Sequence, residues 1–171
     1  MSSILENPLI KKAAEVIFES FQKEGRLLIA GNGGSAADSQ HFAAELVGRF
    51  KKERQALPAI ALTTNSSILT ALANDYSFDK VFSRQIEALA RKGDVFFAIS
   101  TSGNSANIIE ALKTAKSKEC FTIGLTGKTG NQMSEFSDIL IKADSEDTPR
   151  IQENHILIIH AICEIIENFY A

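Results

Sequence analysis

Two segments of the sequence carry side chains that could meet and move a proton. His41 and Glu45 lie four residues apart, and in an α-helix this spacing places both side chains on one face. Gln152 and His160 lie eight residues apart in a second helical segment, about 80° around the helix axis, so both can border one cleft. An imidazole and a carboxylate brought together are groups that general acid–base chemistry uses.

Each of these residues also has a simpler interpretation. The His41 and Glu45 pair could be a hydrogen bond on the surface of a helix, where such pairs contribute little. His160 lies among isoleucines and could be a core histidine whose ring is satisfied by its neighbours. His155, which precedes it by little more than a helical turn, is interpreted as structural. The sequence therefore leaves a catalytic and a structural role open for the other residues.

Two polar loops could hold a phosphate group. The first is Gly31-Asn32-Gly33-Gly34-Ser35-Ala36, and the second is Ser100-Thr101-Ser102-Gly103-Asn104-Ser105. The second loop is rich in hydroxyls and leads into a predicted helix, whose free N–H groups and positive dipole end favour an anion. The same residue types are common in ordinary turns and helix caps. We favour the phosphate interpretation because so many hydroxyls follow one buried strand.

Two nucleotide-binding motifs are matched only in part. Gly31-x-Gly33-x-x-Ala36 fits the loose dinucleotide fingerprint, which also requires an acidic residue near the end of the second strand. That strand ends in Leu62-Thr63-Thr64-Asn65, which contains no carboxylate. Gly127-Lys128-Thr129 resembles the end of a P-loop, but Thr122 stands where the motif requires its first glycine. Binding of a dinucleotide or a nucleoside triphosphate is therefore disfavoured.

The elements that must position these residues alternate between strands and helices. Apolar runs predict four strands and a weaker fifth, at 27–30, 59–62, 95–99, 121–125 and 139–141. Helical periodicity predicts helices at 8–25, 36–50, 66–73, 80–91, 106–116 and 148–169. This alternation predicts an α/β fold, a three-layer sandwich with a five-stranded parallel sheet and helices on both faces.

The composition is that of an ordinary globular protein. The 171 residues are 44% hydrophobic and 23% charged, with a net charge of −3. This length suits one domain over 1–171, with an N-terminal helix within 1–24 and a C-terminal helix within 148–170. We expect no nucleic-acid or membrane partner, because no long basic cluster or apolar span is present. Without a recognisable signal peptide, and with Cys120 and Cys163 in apolar segments, we expect a cytoplasmic protein.

Taken together, these motifs resemble the sugar isomerase (SIS) domain family, and within it the phosphoheptose isomerases. The resemblance runs from about Gly25 to the C-terminus and is carried by residues 31–35, 41–45, 48–49, 74–75, 100–105 and 150–153. It implies a flavodoxin-like fold and an aldose–ketose isomerase. The implied reaction converts sedoheptulose 7-phosphate to D-glycero-manno-heptose 7-phosphate through an enediol, for the heptose of lipopolysaccharide or capsule.

The resemblance also implies roles for individual residues. Glu45 and His160 match the acid–base pair, in which Glu45 takes the carbon-bound proton and His160 serves the two oxygens. The residues His41, Glu45, Gln152 and His160 match the ligands of one zinc ion per subunit, which would polarise the carbonyl. The positions that match substrate contacts are Asn32, Gly33, Gly34, Ser35, Glu45, Arg49, Asn74, Asp75, Ser100, Thr101, Ser102, Ser105 and Gln152.

Assembly and substrate remain open at this point. The resemblance implies a homotetramer, with an active site that subunits could share, and the apolar last helix with Phe18 and Phe21 also favours an oligomer. The segment before the first strand is shorter than the helical extension expected in the family, so we expect assembly to differ. The alternatives are an isomerase of another sugar phosphate and a noncatalytic SIS protein that binds the replication initiator. The presence of Glu45 and His160 disfavours the second.

Overall fold

The fold is described by a computed structural model, which covers residues 2–170. Its helices and strands in chain order are α1 (Ser2–Leu5), α2 (Pro8–Gln22), β1 (Leu27–Gly31), α3 (Gly34–Val47), β2 (Ala59–Ala61), α4 (Ser66–Asp75), a 3-10 turn (Phe78–Lys80), α5 (Ser83–Leu89), β3 (Val95–Ser100), α6 (Ala106–Ser117), β4 (Phe121–Thr126), α7 (Met133–Phe136), β5 (Ile139–Lys142) and α8 (Thr148–Asn168). The predicted domain range 1–171 also includes Met1 and Ala171, which lie outside the described residues.

The sheet is parallel throughout, with the strand order β2-β1-β3-β4-β5. Leu27 at the start of β1 is in register with Ala59 of β2 on one side and Val95 of β3 on the other. Every residue of β1 and β3 is buried, as expected for strands covered on both faces. The predicted five-stranded parallel sheet is confirmed, and its order is that of flavodoxin-like folds.

Helices cover both faces of the sheet and form a separate core on each. On one face α2, α3 and α8 pack over Ile29 and Phe97, and on the other α4 to α7 pack over Leu28 and Phe96. The predicted three-layer sandwich is therefore confirmed. Cys163 and Cys120 are free thiols buried in the first and second core, as small hydrophobes. Among residues 2–170, none of the helices combines the length and apolarity needed to cross a bilayer.

The apolar residues that suggested an oligomer are only partly covered within the chain, since the side chain of Leu157 on α8 is 47% exposed. The last helix α8 buries several faces, with α2 and α3 packed beside it. The ring of Phe18 lies 4.7 Å from that of Phe169 and 5.2 Å from that of Tyr170. Phe21 is partly buried against the same core. These contacts account for part of the apolar surface within one chain, and the oligomer stays a prediction.

Helix boundaries differ from the sequence prediction where capping decides them. The structure divides the N-terminal segment into α1 and α2, because the side chain of Asn7 caps α2 by accepting a hydrogen bond from Leu9 N at 2.9 Å and Pro8 begins that helix. Helix α3 begins at Gly34 and ends at Val47, so it starts earlier and ends earlier than predicted. The predicted helix 80–91 is shorter, because a 3-10 turn precedes α5.

The sheet has a switch point between β1 and β3. Helix α3, which follows β1, lies on one face of the sheet, and α6, which follows β3, lies on the other. The chain therefore leaves these neighbouring strands in opposite directions and opens a crevice at their carboxyl ends. Ligands of open parallel sheets bind in such a crevice. The two polar loops of the sequence lie there, since they follow β1 and β3.

Candidate active site

Three of the predicted acid–base and metal residues meet in one cluster. His41 Nε2 lies 3.0 Å from His160 Nε2 and 3.2 Å from Glu45 Oε1. Potential ligand atoms of His41, Glu45 and His160 all lie within 4.8 Å of one another. His41 is exposed, whereas Glu45 and His160 are partly buried. The surface-pair interpretation of His41 and Glu45 is therefore insufficient, because a residue from a distant part of the chain joins them.

Packing of α3 and α8 against the sheet brings this cluster together. Phe42, next to His41, is fully buried, and its ring meets that of Phe97 edge-on at a centroid distance of 5.2 Å. Ile159 and Ala161, on either side of His160, are buried in the same core. Because neighbouring helical residues point in different directions, burying these apolar side chains turns His41 and His160 toward the space between the two helices.

His160 lies in an environment that favours its neutral form. Burial lowers the pKa of its imidazole, and the nearby His41 and Lys51 lower it further, while the Glu45 carboxylate opposes them. The ring of Phe50 lies against it at a centroid distance of 5.3 Å. A neutral imidazole can accept a proton or coordinate a metal ion, and a protonated one can do neither.

The cluster fits a zinc ion. Zinc ligands of nitrogen and oxygen lie about 2.0–2.2 Å from a tetrahedral ion, which places them about 3.3 Å from one another. The 3.0 and 3.2 Å separations at His41 Nε2 are close to this spacing. Two imidazoles and a carboxylate are also a donor set that zinc accepts. These three side chains could hold such an ion and leave a fourth position for another ligand.

Gln152 approaches the first polar loop. A Cβ atom at Gly34 would lie 2.3 Å from Gln152 Nε2, so only glycine at position 34 leaves room for the side-chain amide of Gln152. Gln152 lies two turns before His160 on α8, and Gly34 lies two turns before His41 on α3. The two helices therefore run side by side from this contact to the histidine pair.

The second polar loop presents clustered hydroxyls at the start of α6. Ser100 Oγ lies 2.9 Å from Ser105 Oγ and 3.4 Å from Ser102 Oγ. Ser105 is the N-cap residue of α6, and its hydroxyl turns toward Ser100 rather than toward the helix. Hydroxyls and the first N–H groups of a helix are donors that suit a phosphate.

This loop is fixed by neighbouring segments. Thr101 O accepts a hydrogen bond from Gly127 N at 3.1 Å, and Gly127 leaves no room for a Cβ because Ile151 of α8 and Thr101 lie against it. Gly103 has a positive φ of 67° and packs on the backbone of Gly130. The hydroxyl loop therefore lies beside the start of α8, the helix that carries Gln152 and His160.

A pair of amides joins the two loops at the switch point. Asn32 Nδ2 donates to Asn107 Oδ1 at 2.8 Å, and Asn107 Nδ2 donates to Asn32 Oδ1 at 2.9 Å. Gly33, which follows Asn32, has a positive φ of 55°, and a Cβ there would meet open space. The first loop thus presents backbone to the crevice while its asparagine is held by α6.

Comparison with known proteins identifies the family. The family model of the SIS domain matches residues 3–127, which is most of the chain. The chain belongs to the SIS domain family. A phosphoheptose isomerase of Helicobacter hepaticus is 57% identical to this SIS domain over 161 residues, which cover 94% of this chain and 82% of the relative.

Solved structures of relatives have the same fold as this SIS domain. A structure of the phosphoheptose isomerase GmhA from Neisseria gonorrhoeae matches with a TM-score of 0.90 and 49% identity, over 98% of this chain and 89% of that one. A phosphoheptose isomerase from Francisella tularensis matches with a TM-score of 0.91 and 38% identity, over 94% and 86%. The flavodoxin-like SIS fold that the sequence predicted is therefore confirmed.

The other predicted site residues of the SIS domain lie apart from the histidine pair or beneath the loops. Ser35 is buried, and its backbone lies against Gly31. Arg49 is exposed after α3 and pairs with Glu53 at 3.7 Å. Asn74 and Asp75 are exposed at the end of α4, where Asn74 Nδ2 donates to Asp75 Oδ1 at 2.8 Å. Substrate contacts by these four residues stay predictions.

His155 is structural in its placement, as predicted. It is fully buried on α8, where neither ring nitrogen has a hydrogen-bond partner among the described residues, and burial lowers the pKa of its imidazole, while the nearby backbone of Thr126 opposes this shift. Thr126 ends β4, directly before the Gly127 contact with the hydroxyl loop. The side chain therefore fills the space between α8 and the sheet.

Sequence reasoning missed three polar residues of this SIS domain. Asn107 forms the amide pair with Asn32, and its signal was a buried polar residue among the isoleucines of α6. Asp38 lies one turn before His41, and burial raises the pKa of its carboxyl although His41 opposes this. The side chain of Arg54 is buried beside the end of α3. Nothing in the sequence indicated this, because Arg54 lies in a charged loop.

Proposed function

We propose that this SIS domain is a phosphoheptose isomerase that converts sedoheptulose 7-phosphate to D-glycero-manno-heptose 7-phosphate. The observation that carries the proposal is the cluster of Glu45, His41 and His160 on the two helices that border the crevice. The identity to named phosphoheptose isomerases over most of both chains supports the same activity.

The proposed chemistry is a proton transfer between two neighbouring carbons. Glu45, partly buried on α3, takes the proton from the carbon next to the carbonyl and returns it to the other carbon through an enediol. His160, kept neutral by the lowered pKa of its imidazole, exchanges protons with the two oxygens. The 3.2 Å contact of Glu45 with His41 fixes the direction in which the carboxylate points.

We also propose that His41, Glu45, Gln152 and His160 hold one zinc ion. When bound, the ion would polarise the substrate carbonyl as a Lewis acid. The spacing of His41, Glu45 and His160 supports this. The amide of Gln152 approaches Gly34 at the start of α3, the helix that carries His41 and Glu45. Metal analysis of freshly purified protein should find one zinc per chain, and His41→Ala should lower that number.

The phosphate of the substrate would be gripped by the hydroxyl loop. Ser100, Thr101, Ser102 and Ser105 would donate hydroxyls or backbone N–H groups at the start of α6. The carbon chain of the sugar would extend from this loop past the backbone of Asn32, Gly33 and Gly34 toward the histidine pair. Asn74, Asp75, Arg49, Ser35 and Gln152 complete the proposed substrate contacts.

The proposed setting follows from the same resemblance. The protein would work in the cytoplasm as a homotetramer and would supply heptose for lipopolysaccharide or capsule. Both cysteines are buried free thiols, which suits a reducing compartment. Light scattering of the purified protein would measure the oligomeric state, and a monomer would contradict this part of the proposal.

The test is turnover of sedoheptulose 7-phosphate, followed by NMR of the aldose product. Wild-type protein should form the product, and Glu45→Gln and His160→Ala should slow it by about 10²–10⁴-fold, the usual contribution of a general acid or base. Glu87→Gln is the control, because this carboxylate is exposed on α5 and pairs with Arg84.

Three outcomes would change the assignment. Unchanged turnover in Glu45→Gln would remove the proposed base. Turnover of another ketose phosphate, but not of the heptulose, would keep the chemistry and replace the substrate. Phosphate binding without turnover of any sugar phosphate would favour a noncatalytic SIS protein.

A further inference from the structure

The end of α3 and the end of α8 are joined by a buried ion pair. The side chains of Arg54 and Glu167 are 3% and 2% exposed, and Arg54 Nε lies 3.7 Å from Glu167 Oε1. Arg54 lies in the loop that leads from α3 to β2, and Glu167 lies two turns after His160 on α8. The pair therefore connects the two helices that carry the site.

The guanidinium of Arg54 binds the carbonyl end of α3. Its nitrogens donate to Glu45 O at 2.6 Å, Leu46 O at 2.7 Å and Gly48 O at 3.1 Å. These are carbonyls that the end of a helix leaves without a partner inside the helix. One of them belongs to Glu45, so Arg54 holds the backbone of the proposed catalytic base.

The carboxylate of Glu167 binds the loop on its other side. It accepts hydrogen bonds from the backbone N–H groups of Phe50 at 2.8 Å, Lys51 at 2.9 Å and Lys52 at 3.1 Å. Phe50 is the residue whose ring lies against His160. One carboxylate on α8 therefore fixes the backbone of the residue that supports the imidazole.

We propose that Arg54 and Glu167 are positioning residues, which set the distance between the Glu45 carboxylate and the His160 imidazole through the loop 48–54. This inference rests on the proposed function for its effect on turnover, but it applies to the metal site as well. Neither residue is among those that the proposed function assigns to the metal ion or the substrate. It acts by fixing the backbone of Glu45 on one side and of Phe50 on the other.

The test uses Glu167→Gln beside a matched control. Asp94→Asn removes a second buried carboxylate, which pairs with Arg26 at 3.0 Å and accepts hydrogen bonds from Arg26 N and Arg91 N at 2.9 Å. Asp94 directly precedes β3, so it lies at the amino ends of the strands, whereas the crevice lies at their carboxyl ends. Both variants should lower Tm, but only Glu167→Gln should alter the site.

Three quantities are measured on folded protein, at a temperature well below the lower of the two Tm values. For Glu167→Gln we expect kcat to fall at least tenfold with KM for the heptulose phosphate little changed, since a shift of about 1 Å can reduce a rate 10²-fold. Zinc affinity, measured by competition with a chromogenic chelator, should fall at least tenfold. Asp94→Asn should keep kcat and zinc affinity within twofold of wild type.

The outcomes separate this inference from the proposed function. Wild-type protein that fails to isomerise the sugar would defeat the proposed function, while zinc affinity would still decide the role of the pair. Equal kcat and zinc affinity in Glu167→Gln and Asp94→Asn would show that the pair only stabilises the fold and would overturn the inference. Arg54→Lys is the second variant, in case Glu167→Gln does not fold. It keeps the charge but loses the planar donor fork, and it should reduce kcat and zinc affinity in the same way.

Discussion

Replacing Gly34 with alanine should disturb the site without weakening the fold. The new Cβ would lie 2.3 Å from Gln152 Nε2, 2.8 Å from its Cδ and 3.2 Å from its Oε1. Ordinary van der Waals contact begins at 3.4 Å, so the amide must move by about 1 Å. The backbone does not resist alanine, since Gly34 is the first residue of α3. Tm should therefore stay the same or rise, because alanine favours a helix.

The size of the effect on activity follows from this displacement. A shift of about 1 Å in a positioned group can reduce a rate about 10²-fold, which corresponds to about 2.7 kcal/mol of transition-state stabilisation. We therefore expect kcat/KM of Gly34→Ala to fall about 10²-fold when isomerisation of sedoheptulose 7-phosphate is followed by NMR. Thermal unfolding of the same preparation checks that Tm is unchanged or higher.

A double-mutant cycle tests whether the effect acts through Gln152. Once Gln152→Ala has removed the amide, the methyl group at position 34 has nothing to displace, and adding Gly34→Ala should change kcat/KM by less than twofold. An equal loss in the wild-type and Gln152→Ala backgrounds would refute the reasoning, because the methyl group would then act on something else. Unchanged activity in the single variant would refute it as well.

Three further predictions concern the loop, the ion pair and the core. Gly103 has a positive φ, and the carbonyl oxygen of Gly130 would lie only 2.5 Å from a Cβ at this position. Gly103→Ala should therefore lower the free energy of unfolding by about 1–3 kcal/mol and weaken the binding of inorganic phosphate measured by calorimetry. Gly93 also has a positive φ but faces open space, so Gly93→Ala should lower stability without affecting phosphate binding. Burial acts to raise the pKa of Glu167, but its backbone hydrogen bonds and Arg54 outweigh this and the pKa is lowered, so its contribution to stability is complete above the ordinary value of 4.5 and is lost as the pH falls toward the folded-state pKa. The stability difference between wild type and Glu167→Gln in urea should shrink below that pH, and a constant difference down to pH 3 would contradict the lowered pKa. Phe42→Ala should cost about 3–5 kcal/mol in urea unfolding, and Phe42→Leu clearly less, whereas equal losses would show that the volume of the ring is not what matters.

The fold could be predicted from the sequence because its signals are local and agree with one another. The buried strands are continuous apolar runs, and the helices between them have a clear period, so the parallel sheet and its two helical layers follow. The ends of the helices were predicted from the sequence less accurately. The end of α3 depends on Arg54, and the break before α2 depends on how Asn7 and Pro8 cap the chain.

The site could be predicted in part, for a similar reason. The spacing of His41 and Glu45 on one helix is local, and the structure places His160 against them as expected. The amide pair of Asn32 and Asn107 joins residues far apart in the sequence, and spacing along the chain cannot reveal such a partner. The oligomeric state likewise stays a prediction, since periodicity shows that a helix face is apolar but not what covers it.

The reciprocal amides at the switch point make two positions interdependent. Each asparagine side chain donates one hydrogen bond to the other and accepts one from it, and the pair carries no charge. If either became an aspartate, one bond of the two would be lost, and a negative charge would stand where the two loops converge on the proposed anion site. Deamidation of either asparagine would therefore both weaken the contact between the two loops and repel an incoming phosphate.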